Sequence, residues 1–375
     1  MTGPASSRRP AAATGSCETN STSSWECPGA ESPTCNSLQA SAQESRLRPR
    51  PPLSTQCVVL TGASSGIGRC TARMLAALGA RIVVTSRRAD ALESLVRDIE
   101  WGGGQAIAVP GDVSREGDLR LVARAAVNRF GGIDTWVNNA GVYLQAPVEA
   151  TTLDEYRRLL EVNFLGYVAG TQCALEVMRP RGAGGIICVS SIVARRAAAY
   201  NSAYAASKAA VDAFVQALRT ELWGSDISVS TLYLPAVDTP VYRHARAKFG
   251  TVPKPPPPVQ DPSWAARAIA RLCERPRPER VAGGFGPFYS ALARLPAGAA
   301  DWFLHHTSGF TVSDIPADGD NLDRPLADVP RERDGWAERG WRGWTIRETA
   351  RVLPIEFAVG AALSVAATVS LARRL

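Results

Sequence analysis

An apolar run, Cys57-Val58-Val59-Leu60, leads into Thr61-Gly62-Ala63-Ser64-Ser65-Gly66-Ile67-Gly68, and the stretch from Thr71 to Leu78 follows before Gly79. The run reads as a buried strand. The stretch after the turn reads as a helix with a glycine stop. Strand, glycine-rich turn and helix in that order leave few folds open. Glycines let the backbone come close to a pyrophosphate, and a helix N-terminus offers free N–H groups and a positive dipole end. Gly62, Ser64, Ser65, Gly66, Ile67 and Gly68 are therefore candidate anion-facing residues. The spacing is Gly-x-x-x-Gly-x-Gly rather than the commoner Gly-x-Gly-x-x-Gly. By itself the turn also fits a glycine-rich loop without a ligand.

From Leu53 onward the pattern alternates. Strands are expected at 57–61, 81–85, 105–109, 134–138, 185–190 and 227–233, with another near 279–282. Helices are expected at 67–78, 89–100, 116–130, 152–178 and 202–223. Strands alternating with helices predict an α/β fold with a doubly wound parallel sheet.

Tyr204-Ala205-Ala206-Ser207-Lys208 sets a phenol and an ammonium four residues apart, on one helix face, with Ser190-Ser191 upstream. A free phenol titrates near about 10, and a nearby cation favours its phenolate. Such a pair can serve acid-base chemistry, although the same spacing also occurs on solvated helix faces.

Taken together and in this order, Thr61 to Gly68, Asn138-Asn139-Ala140-Gly141, Asn163, Ser191 and Tyr204/Lys208 resemble the short-chain dehydrogenase/reductase family. The resemblance covers roughly residues 53–285. It implies a single-domain Rossmann fold of about seven strands with helices on both faces. It also implies NAD(H) or NADP(H) and the interconversion of alcohols and carbonyls. The catalytic set carried over is Asn163, Ser191, Tyr204 and Lys208. The family's serine lies thirteen residues before its tyrosine, which selects Ser191 over Ser190. Ser191 would orient the substrate oxygen, and Tyr204 would transfer the proton. Lys208 would lower the tyrosine pKa and hold the nicotinamide ribose. Asn163 would keep a water in line. Asn139, Ala140 and Gly141 would border the adenine ribose and brace the sheet. Asp112 and Val113, after the third strand, resemble an adenine-contacting step, and an N-capping aspartate is the alternative. Thr239 would contact the carboxamide. One departure is Ala236, which stands where the family has glycine after a proline, so positive φ is less accessible there.

The second strand ends in Thr85-Ser86-Arg87-Arg88. No carboxylate is present to repel a 2′-phosphate, and the Arg87 guanidinium could grip one. NADP(H) is the expected cofactor and NAD(H) the alternative. A cofactor-binding scaffold without turnover is a second function class, which the complete catalytic set disfavours. The regions around 143–150, 192–200 and 236–260 are apolar and aromatic with several arginines, which points to an apolar carbonyl or alcohol substrate. A homo-oligomer is expected.

Net charge is +7, but basic and acidic residues are interspersed, which argues against nucleic-acid binding. The eight cysteines form no Cys-x-x-Cys pair. Cys57 and Cys188 read as small core hydrophobes in a reducing compartment. No metal site is expected, and His244, His305 and His306 read as surface or loop residues.

Residues 1–52, rich in Ser, Ala, Pro, Thr and Arg, are expected to be disordered, with no secretory signal. Segment 238–262, with Pro253 and Pro255 to Pro258, reads as a linker or, by the resemblance, as a substrate-covering region. A C-terminal extension spans 286–354. Ile355 to Ala372 is an eighteen-residue run broken only by Glu356, with tryptophans and arginines before it and Arg373-Arg374 after it. A bilayer needs roughly 17–25 apolar residues. A cytoplasmic catalytic domain anchored by this transmembrane helix is one expectation, and a helix packing on protein is the other.

Overall fold

The computed structural model describes residues 49–256, 259–282, 295–307, 312–327 and 330–336. The parallel strands are β1 (Cys57–Thr61), β2 (Arg81–Thr85), β3 (Gln105–Ala108), β4 (Thr135–Asn138), β5 (Ala183–Ser191), β6 (Asp226–Leu234) and β7 (Glu279–Val281). They form a seven-stranded sheet in the order β7-β6-β5-β4-β1-β2-β3. The helices are α1 (Gly66–Ala77), α2 (Ala89–Trp101), α3 (Glu116–Phe130), α4 (Leu153–Leu160), α5 (Gly166–Arg181), α6 (Ser202–Glu221), α7 (Pro262–Glu274) and α8 (Ala297–Thr307).

Period-two geometry sorts the core into two layers. Cys57, Val59, Val83, Trp136, Ile186 and Val229 face the helices α3, α5 and α6. Val58, Leu60, Ile82, Val84, Val137 and Ile187 face α1, α2 and α7. The strands are covered on both sides, so their sequences read as continuous apolar runs. The strand order reverses beside β1, whose neighbours are β2 and β4. At such a switch point the two flanking loops diverge and leave a crevice at the carboxyl ends of the strands.

The expected helix at 152–178 is not continuous. A π turn over Glu161–Leu165 separates α4 from α5. Each i→i+5 step widens the helix locally, and here the widened turn carries Asn163. Thr152 caps α4 through a capping box with Glu155. Segment 238–262 is not a free linker: Thr251–Pro253 pairs with Val312–Pro316, and Arg246–Ala247 pairs with Leu144–Gln145.

The tail assigned to 1–52 lies outside the described residues up to 48. Arg50, next along, already packs on the body: its guanidinium donates to the Thr135 hydroxyl (2.7 Å) and to the Asp134 carbonyl. The membrane and transmembrane assignment is corrected. Among the described residues no helix is long and apolar enough to cross a membrane. The run 355–372, on which that assignment rested, lies outside the described residues. Its Ala, Gly, Ser and Thr content gives little of the insertion free energy that Leu, Ile, Phe and Val supply.

Candidate active site

A cleft of about 290 Å³ opens at the switch point. The glycine turn between β1 and α1 forms its floor. Gly62 sits at φ +70°, and a Cβ there would come within 2.6 Å of the Ala140 Cα. A Cβ on Gly68 would stand 2.2 Å from the Gly62 carbonyl oxygen, so the turn closes only with glycine at this position. This cradle fits a dinucleotide phosphate group on the chemistry of its donors: the Ile67 and Gly68 amides in the first turn of α1 have no carbonyl one helical turn earlier to bind, while the Gly66 amide is met by the Arg331 carbonyl at 2.9 Å. Asn139 locks the turn to β4, its Nδ2 donating to the Thr61 carbonyl (2.9 Å) and its own amide donating to the Thr61 hydroxyl (2.9 Å).

Gly62, Ser64, Ser65, Gly66, Ile67, Gly68, Arg87, Asp112, Val113, Asn139, Ala140, Gly141, Ser191, Tyr204, Lys208 and Thr239 all line this cleft. The cavity therefore brings together every expected site residue except Asn163. Asn163 is fully buried behind the wall. Its Oδ1 accepts from the Val142 amide (2.9 Å), and its Nδ2 donates to the Val142 carbonyl and to Ser207 Oγ (both 3.0 Å). Its side chain thus ties the loop after β4 to α6, with both amide hydrogens used and one Oδ1 lone pair uncommitted. The Asp112 carboxylate is also engaged within the protein. It accepts from the Ser114 amide and hydroxyl and pairs with Arg158 at 3.2 Å.

Tyr204 and Lys208 rise from one face of α6. Burial pushes the Tyr204 phenol up to about 12, and a hydrogen bond with Ser191 opposes that shift. Ser191 is thus in contact with the phenol, whereas Ser190 faces the Asp212 carboxylate. Lys208 Nζ donates to the Val189 carbonyl (3.0 Å) and to the Tyr167 hydroxyl (3.2 Å). It also lies over the Tyr204 ring, 5.9 Å from its centre, at the outer edge of cation–π range. Burial brings Lys208 down to about 8, with Cys188 and Asp212 opposing. The expected depression of the tyrosine pKa by lysine is therefore not realised in this state, because desolvation of both groups outweighs their attraction. Tyr143 stacks edge-on to Tyr204 at 4.9 Å, and its hydroxyl donates to Asn201.

Two further placements differ from expectation. His244 is buried and lines the cleft, while His305 and His306 are exposed on α8. Arg87, expected to await a phosphate, donates to the carbonyls of Asn321 (2.6 Å) and Asp323 (3.1 Å). Asn321, Pro325 and Leu326 also line the cleft. Nothing in the polar stretch around them marks those residues in the sequence. Ala236 accepts the Gln260 amide at its carbonyl without adopting positive φ. Among the described residues, no cluster of His, Cys, Asp and Glu could hold a metal ion.

The short chain dehydrogenase family model matches residues 56–249, the stretch that carries this cleft. The chain belongs to the short-chain dehydrogenase/reductase family. It is similar to an uncharacterized oxidoreductase, YxnA, of Bacillus subtilis, with 35% identity over 65% of this chain and 69% of that protein. It is similar to the rat dehydrogenase/reductase SDR family member 7B, with 34% identity over 55% of this chain and 64% of the relative. Among solved structures it resembles a 7α-hydroxysteroid dehydrogenase complexed with NADH and 7-oxo glycochenodeoxycholic acid. That match has a TM-score of 0.53 and 28% identity, and covers 62% of this chain and 91% of that one. Short-chain dehydrogenases are oxidoreductases that act on CH–OH groups of small molecules and bind NAD(H) or NADP(H), and this chain is one of them.

Proposed function

We propose that this short-chain dehydrogenase interconverts an apolar ketone or aldehyde and its alcohol with NADP(H). The observation that carries the reading is the gathering of Ser191, Tyr204 and Lys208 in the glycine-floored cleft, with the tyrosine and lysine on one helix face. The residues to hold the cofactor are Gly62, Ser64, Ser65, Gly66, Ile67 and Gly68 at the phosphates, and Arg87, Asp112 and Val113 at the adenosine end. Asn139, Ala140, Gly141 and Thr239 complete the site. The cofactor supplies or accepts the hydride.

The chain's own groups handle the oxygen. Ser191 donates a hydrogen bond to the substrate carbonyl oxygen and orients it. Tyr204, protonated through neutrality, gives its phenolic proton to the oxygen as negative charge develops there. In the oxidising direction the phenolate takes that proton back. Lys208, charged below about 8, stabilises the phenolate when it forms. Asn163 holds the wall against which these groups are set. Ile192, Val193, Tyr143, Val241 and Tyr242 surround the substrate end and exclude water, which favours an apolar substrate.

NAD(H) is the second reading. It is supported by the NADH in the similar hydroxysteroid dehydrogenase structure and by the carbonyl partners of Arg87. Titration of both dinucleotides at one salt concentration decides between them: tighter NADH binding sinks the NADP(H) assignment. Turnover itself is tested by Tyr204→Phe, which removes the proton donor and keeps the ring. A fall of at least ~100-fold in carbonyl reduction is expected, with NADPH affinity unchanged. Wild-type turnover in that variant returns the chain to the scaffold class.

A further inference from the structure

Two stretches beyond the family match, 320–327 and 330–336, run along the cleft. The first lies at the adenosine end. Leu322 is fully buried in the core layer that contains Val113, Leu119 and Leu159. Its carbonyl accepts from Arg158 Nε at 3.0 Å, and the same arginine pairs with Asp112 at 3.2 Å. Arg246 grips Asp320 through Nε (2.9 Å) and Nη2 (3.1 Å) and reaches Asp323 at 2.8 Å. The Asn321 amide donates to the His244 carbonyl at 2.9 Å.

The second stretch passes the phosphate turn and ends near Thr239. The Gly66 amide, at the N-terminus of α1, donates to the Arg331 carbonyl at 2.9 Å. Arg243 holds Asp334 at 3.1 and 3.2 Å. The Asp238 carboxylate accepts the amides of Asp334 (3.2 Å) and Trp336 (3.0 Å). Trp336 then meets Tyr242 edge-on at 6.3 Å.

The contacts therefore fall in sequence on the adenosine end, the phosphate turn and the carboxamide end. They track the whole path assigned to the dinucleotide, and Asn321, Pro325 and Leu326 line the cavity itself. We propose that 320–327 and 330–336 are a strap that forms an additional wall of the cofactor site. It fixes Arg87 for a 2′-phosphate and must lift for the dinucleotide to exchange. This rests on the NADP(H) reading above.

The chemistry of the contacts supports a holding role for the strap. The Asn321 and Asp323 carbonyls take two donors of the Arg87 guanidinium and, being neutral, do not cancel its charge themselves, while the Asp112 and Asp323 carboxylates act on it through space. A guanidinium held in one pose loses less rotamer freedom when a phosphate arrives. The anchors Arg243, His244 and Arg246 come from the segment that follows Thr239, and Asp238 stands just before it. The strap therefore ties the adenosine end of the cleft to the wall beside the substrate.

The test uses the full chain with Asp320→Asn and Asp323→Asn together, which remove the charges Arg246 holds and leave every proposed catalytic residue in place. Stopped-flow fluorescence should show NADPH leaving at least tenfold faster. The ratio of NADPH to NADH affinity should fall by a similar factor, and turnover at saturating cofactor should stay within about twofold. Asp320→Asn alone, which leaves the Asp323 carboxylate beside Arg87, should move the ratio in the same direction, and a merely structural strap would not. Hydrogen exchange on the unaltered protein gives a second readout: saturating NADPH should slow exchange in 320–327 and 330–336. Unchanged exchange there overturns the proposal, and so does unchanged NADPH dissociation in a variant whose strap exchanges faster. Tighter NADPH binding in the variant also overturns it, since the strap would then compete with the cofactor. If the unaltered protein binds neither dinucleotide, the functional reading fails and the proposal with it. If NADPH binds and Tyr204→Phe abolishes turnover while both strap readouts stay flat, only the strap is refuted.

Discussion

The glycine turn at Gly62–Gly68 and the strap at 320–327 and 330–336 run along the same cleft and are held by different physics. The turn is fixed by neighbours in sequence. The missing Cβ of Gly68 lets the chain fold within contact of its own Gly62 carbonyl. The strap is fixed by residues roughly 75 to 265 positions away in the chain. Arg246 reaches Asp320, Arg87 reaches Asn321, and Leu322 fills a hole between α3 and α4. Backbone geometry makes the turn intolerant of a side chain at Gly62 and Gly68. Ion pairs and one buried leucine make the strap tolerant at most positions and sensitive at a few.

The comparison breaks most sharply at Leu322. If it is a true core residue, Leu322→Ala should cost about 2–5 kcal/mol by transfer and cavity terms. Denaturant unfolding measures this, and a loss below about 1 kcal/mol would make the strap a loosely laid surface segment. Gly68→Ala tests the turn. Forced overpacking against backbone costs about 1–3 kcal/mol, and NADPH binding should weaken in parallel because the cradle is distorted. Calorimetric titration checks it, and unchanged affinity would sever the turn from the cofactor.

A pH profile separates the catalytic end from both. Alcohol oxidation needs the Tyr204 phenolate, whose acid lies at about 12, next to a Lys208 that titrates at about 8. Below the lysine value each unit of pH should raise the rate about tenfold. Above it, phenolate with charged lysine and phenol with neutral lysine carry the same number of protons, so the rate should level off. A profile that keeps climbing past about 9 would show that the lysine does not share the tyrosine's titration. The double variant at Asp320 and Asp323 should leave this break in place. The smallest effect is expected at the exposed Arg73–Glu332 pair, 3.1 Å apart. Glu332→Gln should cost no more than about 1 kcal/mol of stability, and a larger loss would mean the strap depends on its rim.

The contrast also explains what could be read in advance. The strands β1 and β2 and the helix α3 stand at the boundaries the pattern predicts, because period-two and period-3.6 burial write themselves into the sequence. The helix expected over 152–178 hides its π turn, since one extra residue per turn leaves no compositional mark. The hydrogen-bonded wall that Asn163 builds was not legible, because its partners Val142 and Ser207 belong to other elements. Burial reverses the expected direction at Tyr204, and desolvation is a property of the packed site rather than of the spacing Tyr-x-x-x-Lys.

The sequence by itself determined the family, the alternation of strands and helices, and the residues that gather at the switch point. Those features depend on short spacings and on glycines that no other residue can replace. Only the tertiary structure decided where 320–327 and 330–336 lie, what Arg87 touches, and how the tyrosine and lysine titrate. Those outcomes rest on contacts between distant parts of the chain and on water excluded from between them, and no local pattern encodes either.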